Sequence, residues 1–209
     1  MRAACKLDDA APFPRWTRWA AIGWLAAWFP AYWHTWGAGN FIHLCDIAVV
    51  LTCLGFVFGN ALVISSQAVS SLIADLAWSL DVFAKVISGH HWIRATDYMF
   101  DPRFPLTVRL LSCFHFAMPV VLLLALKYAG YDRRGFALQC AIAAVVLPLS
   151  RLAGAERNYN FAFRDPFFNR TFGPAIVHLV VIYVALGCLY AISHAALASF
   201  FRPLHARQD

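Results

Sequence analysis

Apolar residues dominate the chain in long runs, and polar residues collect between these runs. A helix that crosses a bilayer needs about 20 consecutive, mostly apolar residues. Six segments meet this requirement, at 16–36, 41–59, 60–87, 105–129, 135–153 and 173–200. The pattern therefore predicts an all-α polytopic integral membrane protein, with residues 1–209 forming one helical-bundle domain of about six transmembrane helices.

The connections between the predicted helices differ in length and polarity. Short Gly/Asn turns at 37–40 and 59–60 predict tight antiparallel hairpins. The connections at 88–104 and 155–171 are longer and rich in charged residues. With six spans, these two connections lie on the same side of the membrane, and long loops of this kind often carry functional groups. Basic residues divide almost evenly between the two sides, so the positive-inside tendency does not orient the chain.

Composition narrows the classes of protein that fit. Hydrophobic residues make up 61% of the chain and charged residues only 13%, whereas about 25% of an ordinary soluble domain is charged. This excludes a soluble globular enzyme, a disordered chain and a coiled coil. The formal net charge is +6, but the basic residues stand singly between apolar runs. That placement favours membrane lipids, and not nucleic acid, as partners.

Candidate chemistry begins in the second predicted helix, which opens with the residues HLCDI at 43–47. His43 and Asp46 stand three apart and share a helix face, with Cys45 between them. A charged residue within a span costs about 2.5–3.5 kcal/mol on insertion scales, so Asp46 calls for a structural or chemical reason. The six cysteines of the chain form no C-x-x-C pair, which argues against a zinc knuckle or a disulfide framework.

The third predicted helix carries a polar stripe, with Gln67, Ser71 and Asp75 at successive steps of four residues. Such a stripe can serve as helix-to-helix hydrogen bonding or as part of a site. Asp81 and Lys85 are also four apart on another face, and this spacing predicts an ion pair between them.

Two chemistries could use these polar groups. In the first, Cys45 is a nucleophile and His115, in the fourth predicted helix, is its general base. In the second, His43, His115 and His178 bind zinc, iron or haem in the bundle core. No close-set ligand pair such as H-x-x-x-H accompanies these histidines, so no metal or other cofactor is predicted from spacing alone.

Four short motifs occur in an order that resembles the YwaF-like integral membrane family. The segment HLCDI at 43–47 is similar to the family motif H-L-C-N-L. The segment FPLTVRLLSCFHFAMPV at 104–120 is similar to F-x-x-x-R-F-x-x-x-F-x-S-H, with His115 on the family histidine. The segment NYNFAFRDP at 158–166 resembles N-Y-x-F-x-x-x-K-P, and Gly173-Pro174 resembles the start of L-G-P-W-P-W. The segment GYDRR at 130–134 also resembles uncharacterised bacterial membrane proteins.

Animal relatives of that family are transmembrane proteins that transfer acyl groups among ether phospholipids through a Cys and a His. The resemblance therefore implies that Cys45 accepts the acyl group, that His115 is its base, and that Asn158 and Asn160 lie near the mouth of the site. It also favours a bacterial inner membrane as the location. Asp46 departs from the family pattern, which has Asn, and a carboxylate beside a thiol disfavours the thiolate.

Three functions remain open from the sequence. The first is a lipid acyltransferase or hydrolase that acts on phospholipid through Cys45 and His115, with His43, Asp46 and Asp75 in support. The second is a non-catalytic subunit or assembly factor that binds other membrane subunits. The third is a redox protein in which His43, His115 and His178 hold a metal or haem.

Overall fold

The computed structural model describes residues 12–93 and 95–201, and this part of the chain is helical, without strands. The prediction of an all-α fold is confirmed. The helices are α1 (Arg15–Trp36), α2 (Leu44–Phe58), α3 (Ala61–Ser88), α4 (Leu106–Leu111), α5 (Phe114–Ala129), α6 (Arg134–Leu152) and α7 (Ala175–Phe200). Short 3-10 turns lie at Ala38–Ile42, Asp97–Met99 and Tyr159–Phe161.

Among the described residues, four helical segments are long and apolar enough to cross a membrane: α3, α4 with α5, α6 and α7. Helices also form at the first two predicted spans, but neither reaches this standard. α2 has 15 residues, or about 22 Å at the usual rise, which is shorter than the hydrocarbon core of a bilayer. It is short because a 3-10 turn and His43 occupy the predicted first residues of the span. α1 has 22 residues, but Arg15, Arg18 and His34 lower its mean hydropathy.

α3 lies at the centre of the bundle and packs against α2, α5, α6 and α7, whereas α1 packs mainly against α2. Every residue of α3 from 64 to 71 is buried, so this stretch is surrounded on all sides. Four of these residues are serines. Their small side chains allow neighbouring helices to approach closely, and their hydroxyls can bond across the interface. Asp75 follows about one turn further along α3, and its side chain is buried inside the bundle.

α3 and α6 approach each other closely, backbone to backbone, at Gly135. A methyl group on Gly135 would lie 2.8 Å from the backbone carbon of Ser65 and 2.8 Å from the backbone nitrogen of Ser66. Neither backbone atom can move without shifting a helix. In contrast, a methyl group on Gly187 of α7 would meet no heavy atom within 4 Å.

We expect Gly135→Ala to lower the unfolding free energy by about 1–3 kcal/mol, as overpacking of a core does. Gly187→Ala is the matched control, and it should raise stability by about 0.5–1 kcal/mol because alanine is the better helix former. Thermal unfolding in detergent measures both. Equal stability of the two variants would contradict the close approach of α3 and α6.

The exterior of the bundle is apolar, as expected for a protein that lies among lipid chains. α7 presents the broadest such surface, and only 17% of its most apolar window is buried. Its exposed apolar side chains include Ile176, Val180, Val184, Ile192 and Phe200. The opposite face of α7 carries buried polar side chains, among them His178, Tyr190 and Ser193, which turn inward.

One local prediction is wrong. Asp81 does not pair with Lys85. Its carboxylate accepts hydrogen bonds from the backbone N–H groups of Trp92 and Ile93, both at 2.6 Å, while Lys85 donates to the carbonyl oxygen of Gly89. Several fixed donors outcompete one flexible ammonium for a carboxylate.

The fourth predicted span, 105–129, forms one segment that is long and apolar enough to cross a membrane, Leu106–Ala129, and a short break at residues 112–113 divides it into α4 and α5. Pro119 lies inside α5, and its ring crowds the carbonyl group of His115, four residues earlier. The interruption at residues 112–113 lies just before His115, which is the second residue of α5.

Candidate functional site

A buried Asp–His pair links α3 to α5. Nδ1 of His115 lies 2.6 Å from Oδ1 of Asp75. Both side chains are almost fully buried. The imidazole is held in place by the ring of Trp78, at 4.4 Å between centroids, and by that of Phe114, at 4.1 Å.

The partners of the two ring nitrogens of His115 differ. The carboxylate of Asp75 can only accept, so Nδ1 carries the proton and Nε2 is the basic nitrogen. In the described part of the chain, Nε2 has no hydrogen-bond partner. This is the arrangement in which a carboxylate orients a histidine that acts as a general base.

Cys45 lies in the first turn of α2, close to this pair. α2 begins at Leu44, and Cys45 is its second residue. Among the described residues, the backbone N–H groups of Cys45 and Asp46 have no backbone acceptor, as is usual for the first turn of a helix. N–H groups without a backbone acceptor and the positive end of the helix dipole favour negative charge at this position.

Asp46 is the charged neighbour of Cys45, and it is paired. Its Oδ2 accepts a hydrogen bond of 2.5 Å from the side-chain amide of Asn40, in the 3-10 turn that precedes α2. The thiol of Cys45 lies 4.0 Å from the other oxygen, Oδ1. The amide dipole of Asn40 offsets part of the carboxylate charge, but Asp46 remains an unfavourable neighbour for a thiolate.

A cavity of about 60 Å³ joins Cys45 to Asp75. It lies between the first turn of α2, the middle of α3 and the second half of α7. Its wall is formed by Leu44, Cys45, Ser70, Ser71, Ile73, Ala74, Asp75, Leu186, Leu189, Tyr190 and Ser193. The thiol and the carboxylate that holds His115 therefore share one space, although they are far apart in the chain.

Two tyrosines that no sequence motif marks lie beside the same site. The hydroxyl of Tyr32, on α1, is 2.5 Å from Oγ of Ser112, at the break between α4 and α5. Burial raises the pKa of the Tyr98 phenol, contact with Ser112 lowers it in part, and neighbouring Cys45 and Asp46 raise it further. Tyr98 therefore keeps its proton over the physiological range and can act as a hydrogen-bond donor.

The second long loop, 155–173, covers the start of α2. Oδ1 of Asn160 accepts a hydrogen bond of 2.8 Å from the backbone N–H of Leu44. Its amide group donates to the carbonyl oxygen of Ile42 at 2.8 Å and to Oγ of Ser150 at 2.7 Å. Asn160 therefore ties the loop, α6 and the beginning of α2 together above Cys45.

Asn158 and His43 have supporting positions. Asn158 accepts hydrogen bonds from the backbone N–H groups of Phe163 and Arg164, and so fixes the turn of the loop. The His43 ring packs against Tyr159 at 5.0 Å between centroids and lies near enough to His115 for the two to interact electrostatically. The prediction that Asn158 and Asn160 line the mouth of the site stays a prediction, since both side chains are engaged within the protein.

The three histidines proposed as metal ligands are not brought into one group. His178 is fully buried, and both of its ring nitrogens are used by the long loop: Nδ1 accepts from the N–H of Phe172, and Nε2 lies 2.9 Å from the carbonyl oxygen of Phe161. Within residues 12–93 and 95–201, no cluster of three or more His, Cys, Asp or Glu side chains could hold a metal ion. His178 instead anchors the loop to α7.

Five of the residues named from the sequence thus fall into two groups. Cys45, Asp46, Asp75 and His115 lie around one cavity or next to it, whereas His178 is a structural residue of the loop. Comparison with protein-family models, with curated proteins and with solved structures gave no match for this chain.

Proposed function

We propose that this protein is a small membrane enzyme that transfers or hydrolyses lipid acyl groups, with Cys45 as nucleophile and His115 as general base. The observation that carries the proposal is the Asp75–His115 pair, whose basic Nε2 is left without a partner among the described residues, beside the cavity that Cys45 lines. Nucleophile, base and orienting carboxylate are the three parts of a covalent acyl-transfer site.

The chemistry uses a neutral thiol. Nε2 of His115 takes the thiol proton as Sγ of Cys45 attacks the carbonyl carbon of an ester. The ester C–O bond then breaks, and the departing alcohol takes the proton from His115. A second hydroxyl compound or water attacks the Cys45 thioester in the same way and restores the thiol. Because the proton leaves during the attack, Asp46 does not have to tolerate a preformed thiolate.

The oxygen that becomes negative during each attack also needs donors. The N–H groups of Cys45 and Asp46, in the first turn of α2, lie beside the thiol and have no backbone acceptor among the described residues. Donors placed where charge develops are among the largest contributors to acyl-transfer catalysis. A nucleophile in the first turn of a helix brings these donors with it.

The substrate class follows from the surroundings of the site. The cavity wall includes exposed residues of α3 and α7, Ala74 and Leu189, which face the apolar exterior of the bundle. An ester that approaches from this side has to be dissolved in the bilayer. Membrane phospholipids are the acyl esters present there, and the motif resemblance to the YwaF-like family points to the same class.

We also propose that α1 and α2 complete a six-helix bundle in the membrane, in a bacterial inner membrane. The guanidinium Nε of Arg18, near the start of α1, donates to the carbonyl oxygen of Val57 at the end of α2. The two helices therefore run antiparallel side by side, as successive spans do. The 3-10 turn at Ala38–Ile42 lengthens the α2 segment as far as the loops that lie above the site.

The test is intact-protein mass spectrometry of mildly purified protein with a phospholipid substrate, before and after hydroxylamine. We expect the wild-type protein to carry an added acyl mass that hydroxylamine removes. Cys45→Ser should not form this thioester. Cys53→Ser, in a buried position further along α2, is the matched control and should retain the adduct. If instead no adduct forms and partner chains co-purify at fixed stoichiometry, the chain is a non-catalytic subunit.

A further inference from the structure

We propose that the cavity beside Cys45 is a water site, and that this water releases the acyl group from Cys45 as a free fatty acid. The inference rests on the acyl-thioester chemistry proposed above. It decides between the two fates that this chemistry leaves open, transfer to a lipid hydroxyl and hydrolysis.

The first observation is that two residues of the cavity wall each carry a buried polar atom without a partner among the described residues. Oδ2 of Asp75 and Oγ of Ser193 are buried, and neither has a hydrogen-bond partner among the described residues. Asp75 is 2% exposed and Ser193 is 1% exposed. Buried polar groups in folded proteins are nearly always satisfied by protein or by ordered water. Two such atoms on residues that line one space therefore indicate a polar occupant.

The second observation is the size of the space. A cavity of about 60 Å³ can hold about two water molecules, each of which takes up about 30 Å³ in the liquid. A buried water also needs about two to four polar partners, and Ser70, Ser71 and Tyr190 supply hydroxyls in addition to the two unpartnered atoms.

The polar wall of the cavity is held in a fixed geometry. The side-chain amide of Gln139, on α6, donates to Oγ of Ser70 at 2.9 Å and to the hydroxyl of Tyr190 at 3.3 Å. This network joins α3, α6 and α7 behind the cavity. Because Gln139 donates to both hydroxyl oxygens, the hydroxyl protons of Ser70 and Tyr190 remain available to a water molecule.

The hydrolytic step balances without a further reactant. Water attacks the carbonyl carbon of the Cys45 thioester, and its proton passes to Nε2 of His115. The C–S bond breaks, the thiolate takes the proton from His115, and a carboxylic acid leaves. Oδ1 of Asp75 holds Nδ1 of His115, and Oδ2 has no partner among the described residues. In this proposal the one carboxylate therefore positions the base through Oδ1 and the water through Oδ2.

The experiment is turnover of phospholipid vesicles in water enriched in ¹⁸O. We expect each released fatty acid to contain one ¹⁸O atom. Ser193→Val, which fills the cavity with methyl groups, should slow release by about tenfold or more, since a displaced reactant costs rate steeply. The acyl-enzyme should then accumulate in the intact mass spectrum. Ala191→Val, at an exposed position on the same helix, is the matched control and should release at the wild-type rate.

Two results would overturn the inference in distinguishable ways. If acyl groups appear only on an acceptor lipid and Ser193→Val releases them at the wild-type rate, the hydrolytic role is wrong and the proposed function stands. If Cys45 is never acylated, the proposed function fails and the hydrolytic role fails with it.

The water site itself is tested without catalysis, by thermal unfolding. A hydroxyl that binds water loses a partner in Ser193→Ala, whereas a hydroxyl in a dry cavity is better replaced by a methyl group. We expect Ser193→Ala to unfold at a lower temperature than Ser199→Ala, which makes the same change in the exposed last turns of α7. A higher unfolding temperature for Ser193→Ala would show that the cavity is dry.

Discussion

Replacing Cys45 by alanine is expected to abolish acyl release and acyl transfer altogether, because the thioester cannot form. His115→Ala should lower the rate about a thousandfold, since it removes the proposed general base. The measurement is the initial rate of lysolipid formation from a labelled phospholipid, with protein reconstituted in vesicles and its folding checked by gel filtration.

Cys53→Ala is the control for the loss of a buried thiol from α2, and it should retain the wild-type rate. If Cys45→Ala and His115→Ala both keep full activity, the catalytic assignment is wrong. Loss of activity in Cys45→Ala with full activity in His115→Ala would leave the nucleophile in place and require a different base.

Asp75→Asn should have the second largest effect, a loss of about a thousandfold to ten-thousandfold in kcat. The comparable Asp→Asn change in a Ser-His-Asp protease costs about four orders of magnitude, because the amide favours the wrong histidine tautomer. Here the introduced side-chain amide would donate to Nδ1 of His115, and the proton would move to Nε2, which then could not accept the thiol proton. Steady-state kinetics of the folded variant measure the loss.

Asp46→Asn is the matched change in the same site, and the opposite sign is expected. It removes a negative charge 4.0 Å from the thiol, and its amide oxygen can still accept from Asn40. The rate of thiol attack should therefore rise. Equal losses in Asp75→Asn and Asp46→Asn would indicate that the two carboxylates act only by holding the fold together.

Helix positions could be predicted from the sequence because each apolar run marks a buried or lipid-facing segment by itself. The starts of α2 and α5 could not, since a 3-10 turn and a helix break occur within apolar residues and change no hydropathy pattern. Whether α1 crosses a membrane also lies beyond the pattern, because its tryptophans suit both an interface and a bundle core.

The residues of the site could be named individually, but their pairing could not. Asp75 and His115 are 40 residues apart, and their contact depends on the packing of α3 against α5. Asp81 illustrates the converse error, since its local spacing predicted Lys85 as partner while the backbone of the following loop provided better donors. Ser193 carries no motif at all and is recognised only from its unpartnered hydroxyl in the cavity wall.

The bond between Asn160 and Leu44 spans 116 residues, and this has a consequence for biosynthesis. The ribosome completes α2 long before it reaches Asn160, so the start of α2 is left without its final cap until most of the chain has been translated. Cys45 therefore lies in an unfinished site throughout the insertion of α3 to α6. The chemistry that we propose for Cys45 therefore requires the loop to be synthesised and to close over the start of α2.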